Sequence, residues 1–199
     1  MSKELLKNTK FLSEIKKILK EHNQEILDII LFGSCMKGKE KPKDIDLLVI
    51  YKSNKNIDTS YELKKNLKSQ GFVVEITDKT YEELLNGSFK AIEGILGEGF
   101  SFKSKKLLSE SLGYLNFNLF KYNLKRLNKS EKMRFYYSLY GRTKNQQGII
   151  KSLNSIKFSD SIILCPIDKS EEMSEYLKNW NISYTQFPIL IPSRLKNIL

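Results

Sequence analysis

The sequence has few of the residues that disulfide-bonded, zinc-binding and histidine-dependent sites require. Its 199 residues include two cysteines, Cys35 and Cys165, and one histidine, His22. Two cysteines far apart in the chain supply neither a disulfide framework nor a zinc ligand set, which indicates a reduced setting. A single histidine also disfavours serine or cysteine triads, in which a histidine acts as the general base.

Long apolar runs are absent as well. No stretch approaches the roughly 18 consecutive apolar residues of a membrane span. The first 20 residues alternate lysine and leucine at helical spacing and contain no small-residue cleavage site. We therefore expect a soluble protein of the cytoplasm, without a membrane partner.

The composition is that of a globular protein with an excess of positive charge. Hydrophobic residues make up 40% and charged residues 29%, the formal net charge is +11, and the sequence pI is about 9.4. A chain of this length can bury a core as one larger or two smaller domains. The charge favours a polyanionic partner, although an AT-rich genome would also enrich lysine, asparagine and isoleucine. Both explanations remain open.

Apolar periodicity predicts the elements of a first domain, residues 1–103. We expect helices over residues 5–21 and 58–69, and strands over 25–32, 44–51 and 71–77. Thr80 and Glu83 have the spacing of a capping box that opens a further helix. A glycine-rich patch at Gly94, Gly97 and Gly99 precedes the boundary.

A second domain, residues 104–199, is predicted to be helical at first and then α/β. The leucine and aromatic positions of residues 107–127 predict a long helix, and Ser130 predicts the cap of a second helix ending near Tyr140. A basic loop over 141–148, a short helix and a strand over 161–166 should follow. Asp168 and Glu171 predict a capped helix, and residues 182–191 a final strand. The aromatic residues of the predicted helices are typical of a core rather than of base stacking.

Two aspartates stand inside the second apolar run. Residues two apart on a strand point to the same face, so Asp44 and Asp46 should present their carboxylates side by side, while Ile45 and Leu47 point into the core. Like charges so close repel unless cations lie between them. Oxygen ligands of this kind suit Mg²⁺ or Mn²⁺, whose remaining positions go to water and substrate phosphates.

The loop before these aspartates has the residue types of a phosphate-binding loop. Gly33 allows close approach of the backbone, Ser34 offers a hydroxyl and an N–H, and Lys37 offers a cation. Glu75 lies between apolar neighbours in the third predicted strand. If that strand pairs beside the second, Glu75 completes a three-carboxylate cluster that could hold two metals for an in-line phosphoryl displacement.

These residues resemble the nucleotidyltransferase superfamily of DNA polymerase β, in particular its minimal nucleotidyltransferase branch. The pattern is Gly33-Ser34, the apolar-flanked Asp44 and Asp46, and an apolar-flanked acid at Glu75. The resemblance implies an α/β (α+β) fold with a small mixed sheet flanked by helices, and transfer of a nucleoside monophosphate from an NTP, as in ATP-binding members. It carries over Gly33 and Ser34 as triphosphate binders.

The resemblance also implies roles for the acids. It carries over Asp44 and Asp46 as ligands of both metals, and Glu75 as a ligand that helps to deprotonate the acceptor. Two departures stand out: a glutamate replaces the commoner third aspartate, so Asp78 is the alternative if the strand register differs, and Lys43 replaces a small polar residue.

The leading functional hypothesis is therefore a Mg²⁺-dependent nucleotidyltransferase. The positive charge favours an RNA or tRNA end as the acceptor, bound by the second domain, with Arg142 and Lys144 as candidate phosphate contacts. The alternatives are nucleotidylation of a protein or of a small hydroxylated molecule, a phosphohydrolase that uses the same metals, and a catalytically silent nucleic-acid-binding protein.

Overall fold

A computed structural model describes residues 5–36, 43–143 and 146–198 of the chain. The chain divides into two compact units, Met1–Leu112 and Gly113–Leu199. The boundary predicted after residue 103 lies inside the first unit, between two short paired strands. In the described ranges no helix has both the length and the apolar content that crossing a membrane requires.

The first unit alternates helices and strands, and most of them lie where the apolar pattern predicts them. Its elements are α1 (Thr9–Glu21), β1 (Ile26–Phe32), β2 (Ile45–Tyr51), α2 (Ile57–Ser69), β3 (Val74–Thr80), α3 (Tyr81–Leu85), α4 (Ile92–Glu98), β4 (Phe100–Ser101), β5 (Lys106–Leu107) and α5 (Leu108–Ser111). A 3-10 turn, Gly33–Cys35, follows β1.

The five strands of this unit form one mixed sheet, with the order β3-β2-β1-β4-β5. Strand β1 runs antiparallel to β2 and to β4, whereas β2 and β3 are parallel. A parallel pair needs a crossover connection, and α2 supplies it. The predicted mixed sheet flanked by helices is thereby confirmed.

Both faces of the sheet are covered, and that explains why the strands read as nearly continuous apolar runs. One face, with Leu31 and Leu47, packs against Phe11 of α1 and Leu63 of α2. On the other face the apolar cluster consists of Ile30, Leu48, Ile50 and Ile95. Alternate residues of β2 therefore enter different cores, as predicted for Ile45 and Leu47.

Side-chain caps set the beginnings of the main helices. Thr80 Oγ1 accepts the N–H of Glu83 at 3.2 Å, and Glu83 Oε2 accepts the N–H of Thr80 at 2.8 Å. This is the predicted capping box, which is confirmed at the start of α3. Asn8 and Asn56 cap α1 and α2 by a single bond each, accepting the N–H of Phe11 and of Thr59.

The second unit is a four-stranded antiparallel sheet with helices. Its elements are β6 (Tyr114–Asn123), α6 (Lys129–Tyr140), α7 (Ile149–Ser152), β7 (Ile156–Ser159), β8 (Ile162–Pro166), α8 (Ser170–Asn179) and β9 (Ser183–Pro192), in the sheet order β7-β8-β6-β9. Phe120 and Ile163 of the sheet pack with Phe135 of α6 and Leu177 of α8 in a separate core.

The long helix predicted over residues 107–127 was wrong. The segment contains the short α5 and then β6, separated by Gly113 at φ 81°. Asn118, Phe120 and Tyr122 are buried while the residues between them are more exposed, and this alternation is the period of a strand. The leucine and aromatic residues fit a helical period as well as a strand period. Spacing alone therefore misassigned β6, one of the two central strands of this sheet.

Two predicted caps were also wrong. Asn128, not Ser130, caps α6, and it forms a capping box with Glu131. Helix α8 begins at Ser170 without a side-chain cap, because Asp168 belongs to a preceding 3-10 turn, Ile167–Lys169. In both cases the predicted residue is of a type that often caps helices, but it lies at the wrong position relative to the start of the helix.

Candidate active site

Strand β2 positions the two aspartates. Asp46 is the second residue of the strand and Asp44 immediately precedes it. Because Ile45 and Leu47 are buried in the core beneath α1 and α2, the two carboxylates lie on the opposite face. Both aspartates are half-buried.

The parallel pairing of β2 with β3 brings Glu75 beside them. In that register Asp46 lies directly opposite Glu75, and directly paired residues point to the same face of a sheet. One oxygen from each of Asp44, Asp46 and Glu75 can be chosen so that all lie within 4.8 Å of one another. Glu75 is the exposed member of this carboxylate cluster.

The same register places Asp78 elsewhere. Asp78 pairs with Val49, whose side chain is in the core beneath α1 and α2. There Ser60 Oγ donates a hydrogen bond to Asp78 Oδ1, and Ser60 Oγ lies 2.8 Å from the hydroxyl of Tyr51. Asp78 thus belongs to a hydrogen-bonded network with α2 and not to the carboxylate cluster.

Burial and the neighbouring carboxylates both make Asp46 a weaker acid. Burial, followed by the charges of Asp44 and Glu75, raises the pKa of Asp46 above its ordinary value. The backbone N–H of Ser34 donates to Asp46 and opposes part of this shift. An oxygen-only set of converging acids suits a hard divalent cation, so these three residues could hold Mg²⁺ or Mn²⁺.

Gly33 is required by its close approach to Asp46. Its φ of 75° lies in the left-handed region that favours glycine. A Cβ built at this position would overlap Asp46 Oδ2 and lie 2.8 Å from Asp46 Cγ. The Asp46 carboxylate can therefore keep its position only if the first residue of the turn Gly33–Cys35 has no side chain.

Cys35 links the same turn to the residue that precedes β2. Its side chain is buried, and its Sγ donates to the backbone oxygen of Asp44 at 3.5 Å. Burial and the charges of Asp46 and Asp44 raise the pKa of the thiol. Sequence reasoning gave Cys35 no part in the site, and its position directly after Ser34 is the one signal for the contact.

The basic residues predicted to contact phosphates are described only in part. Lys37 and Lys144 lie outside the described residues. Arg142 is exposed, and its guanidinium carbon lies 5.6 Å from the ring centroid of Tyr137. Arg142 and Tyr137 belong to the second unit.

Comparison with solved structures finds toxin–antitoxin complexes. A toxin–antitoxin complex with AMP-PNP is 22% identical, covers 46% of this chain and 71% of the other, and has a TM-score of 0.36. A mutant of the MntA–HpeT complex is 19% identical, with the same coverage and a TM-score of 0.35. The tri-AMPylated HEPN toxin of Shewanella oneidensis in complex with the MNT antitoxin is 18% identical, covers 51% and 80%, and has a TM-score of 0.33.

Family models give a more direct assignment. No curated protein matches the chain. Residues 13–90 match the model described as polymerase beta, nucleotidyltransferase, and this stretch contains Gly33, Ser34 and the carboxylate cluster. The resemblance read from the motif is thus confirmed. Residues 13–90 form a nucleotidyltransferase domain of the polymerase β family, and the chain is an enzyme of the nucleotidyltransferase class.

Proposed function

We propose that the chain transfers a nucleoside monophosphate from an NTP to an acceptor, with Asp44, Asp46 and Glu75 as the ligands of divalent cations. The observation that carries this proposal is the convergence of the three carboxylates within 4.8 Å. Ionised groups so close and partly buried are costly unless their charge is compensated. A cation bound together with a triphosphate would provide that compensation.

In the proposed reaction an acceptor oxygen attacks the α-phosphorus of the NTP. The bond from that phosphorus to the bridging oxygen breaks, and pyrophosphate leaves. The proton of the acceptor goes to Glu75, the exposed carboxylate of the cluster. A divalent cation in the site would stabilise the negative charge that develops on the phosphate oxygens.

The turn after β1 has a supporting role in this proposal. Gly33 leaves room for the Asp46 carboxylate, and the N–H of Ser34 holds that carboxylate through a hydrogen bond. The Ser34 hydroxyl and the Lys37 ammonium are proposed as further contacts of the triphosphate. These roles follow from chemistry and from the family motif.

Two classes of acceptor are candidates. The Shewanella oneidensis complex contains an AMPylated toxin, so a protein side chain is the first acceptor that we propose to test. A nucleic acid end is the second, and the charge of the second unit favours it. That unit contains 14 of the 34 basic residues and six of the 23 acidic residues, a net charge of +8.

Transfer can be measured with α-labelled NTPs, Mg²⁺ and separate protein and RNA fractions of a cell extract. We expect label to enter one fraction, and an Asp44→Asn/Asp46→Asn variant to lose about 1,000-fold or more in rate, since several kcal/mol of charge stabilisation are removed. An Asp58→Asn/Asp168→Asn variant, which changes two exposed aspartates, should retain the wild-type rate. Equal labelling by the wild type and the Asp44→Asn/Asp46→Asn variant would contradict the proposal, and phosphate release without a labelled acceptor would indicate a phosphohydrolase.

Thermal melting with and without Mg²⁺ or Mn²⁺ tests whether Glu75 or Asp78 is the third ligand of the cation. The cation should stabilise the wild type, by about 2.7 kcal/mol at 100 times its Kd. We expect Glu75→Ala to lose most of this stabilisation. Asp78→Ala should keep it, while its cation-free stability falls by about 1–3 kcal/mol because the buried Ser60 hydroxyl, which also contacts the Tyr51 hydroxyl, loses its acceptor. The reverse pattern would exclude Glu75 as a ligand.

Gly33→Ala tests the close approach to Asp46 and has a matched control. Gly87 has the same φ of 75°, but a Cβ built there meets nothing within 4 Å. Both substitutions should cost about 1–2 kcal/mol of folding stability through backbone strain. Only Gly33→Ala should also lose transfer and cation-induced stabilisation, because it displaces the Asp46 carboxylate. If both variants transfer at the wild-type rate, the contact with Asp46 has no role in the site.

A further inference from the structure

A groove of about 630 Å³ opens in the second unit, where β6 ends and β9 begins. Six of the residues that line it are Lys121, Tyr122, Leu124, Tyr136, Asp160 and Tyr184. Its volume is within the range of about 300–1,000 Å³ that ligand sites occupy. The groove is built from residues of this unit alone and shares no residue with the carboxylate cluster.

One lysine lines this groove, and two further cations follow it closely in the chain. Lys121 lines it and is exposed, and Lys125 and Arg126, also exposed, follow on the loop that leads to α6. Among the described lining residues Asp160 is the one acid, and its Oδ1 lies 2.8 Å from Lys157 Nζ. Because Lys157 pairs with Asp160, the charge of Lys121 and of the two cations that follow it in the chain is left uncompensated by the lining.

Aromatic rings continue the groove along α6. The half-buried ring of Tyr136 lines the groove and stacks on Tyr140, with ring centroids 6.0 Å apart and planes 15° from parallel. Lys157 Nζ lies 5.4 Å from the centroid of Tyr140. Tyr140 and Phe158 are also exposed, Phe158 by 57%. The aromatic rings of Tyr140 and Phe158 thus lie beside the Lys157 ammonium group or next to it in the chain, on the surface of the unit.

The rest of the lining is neutral, and each of its residues except Leu124 carries a polar group. Tyr122 is a fixed part of the wall, because its side chain is buried and its hydroxyl donates to the backbone oxygen of Asp160 at 2.8 Å. Asn123, Ser161 and Thr185 add an amide and two hydroxyl groups around the opening. Such groups can bond with the polar edge of a base or with a sugar hydroxyl.

We propose that this groove binds single-stranded nucleic acid, with a base stacked on Tyr136 and the phosphates beside Lys121, Lys125 and Arg126. Base stacking on aromatic side chains combined with backbone contacts to cations is how single strands are bound without a sequence code. A duplex has no unstacked base to place on the ring, and an acidic peptide would use the cations but not the ring. The binding refines the second acceptor candidate, but it needs no transfer reaction.

Fluorescence anisotropy with a labelled 12-nucleotide RNA or DNA strand, in EDTA and without NTP, tests the groove. We expect Tyr136→Leu to weaken binding by about five- to 100-fold, the range for one lost base stack, and Tyr136→Phe to bind like the wild type. Lys121→Gln should lower the slope of log Kd against log salt by about 0.7, the value for one phosphate contact to a single strand.

Lys196→Gln is the matched control for Lys121→Gln. Lys196 is exposed in the 3-10 turn after β9, and the ten residues of β9, roughly 30 Å, separate that turn from the groove. Its substitution should leave the slope unchanged. Melting curves of Tyr136→Leu and Tyr136→Phe establish that both variants are folded.

Three outcomes would overturn the proposal. The first is an equal change of the salt slope in Lys121→Gln and Lys196→Gln. The second is an unchanged affinity of folded Tyr136→Leu for the strand. The third is a duplex or an acidic polypeptide that binds as tightly as the single strand. The Asp44→Asn/Asp46→Asn variant separates the two proposals. It should lose transfer and keep its affinity for the strand, so that failure of either proposal can be seen without the other.

Discussion

The site depends on one strand register, the parallel pairing that sets Asp46 of β2 directly opposite Glu75 of β3. A shift of one residue would turn Glu75 to the other face, because side chains alternate along a strand. The register is maintained by the cores on both faces, where Leu47 and Leu48 are fully buried in different clusters. Apolar burial therefore holds the carboxylates together against their mutual repulsion, and the chemistry of the site depends on packing well away from the acids.

Contacts from the turn Gly33–Cys35 also hold Asp44 and Asp46 in place. The N–H of Ser34 donates to the Asp46 carboxylate, and Cys35 Sγ bonds to the backbone oxygen of Asp44. Gly33 makes these contacts possible, since any side chain there would occupy the position of Asp46 Oδ2. A three-residue turn thus orients both aspartates, which explains why glycine and serine stand immediately after β1 although neither residue is acidic.

The sequence predicted the first unit well because its signals are local. Apolar runs mark β1, β2 and β3, and the pair Asp44 and Asp46 stands out within one of them. The choice between Glu75 and Asp78 could not be made in this way, since it depends on which residue of β3 pairs with β2. The second unit was predicted less well, because β6 has leucine and aromatic residues that fit both a helical and a strand period. There the pairing of β6 with β8 and β9 decided its structure, and pairing between distant segments cannot be read from spacing.

The two units also differ in charge, and this difference agrees with the two proposals. The first unit contains 20 basic and 17 acidic residues, a net of +3, and it holds the converging carboxylates. The second unit has a net charge of +8 and offers exposed rings beside cations. In these proposals the excess charge of the second unit attracts an anionic partner by long-range electrostatics, while the carboxylates of the first unit bind cations.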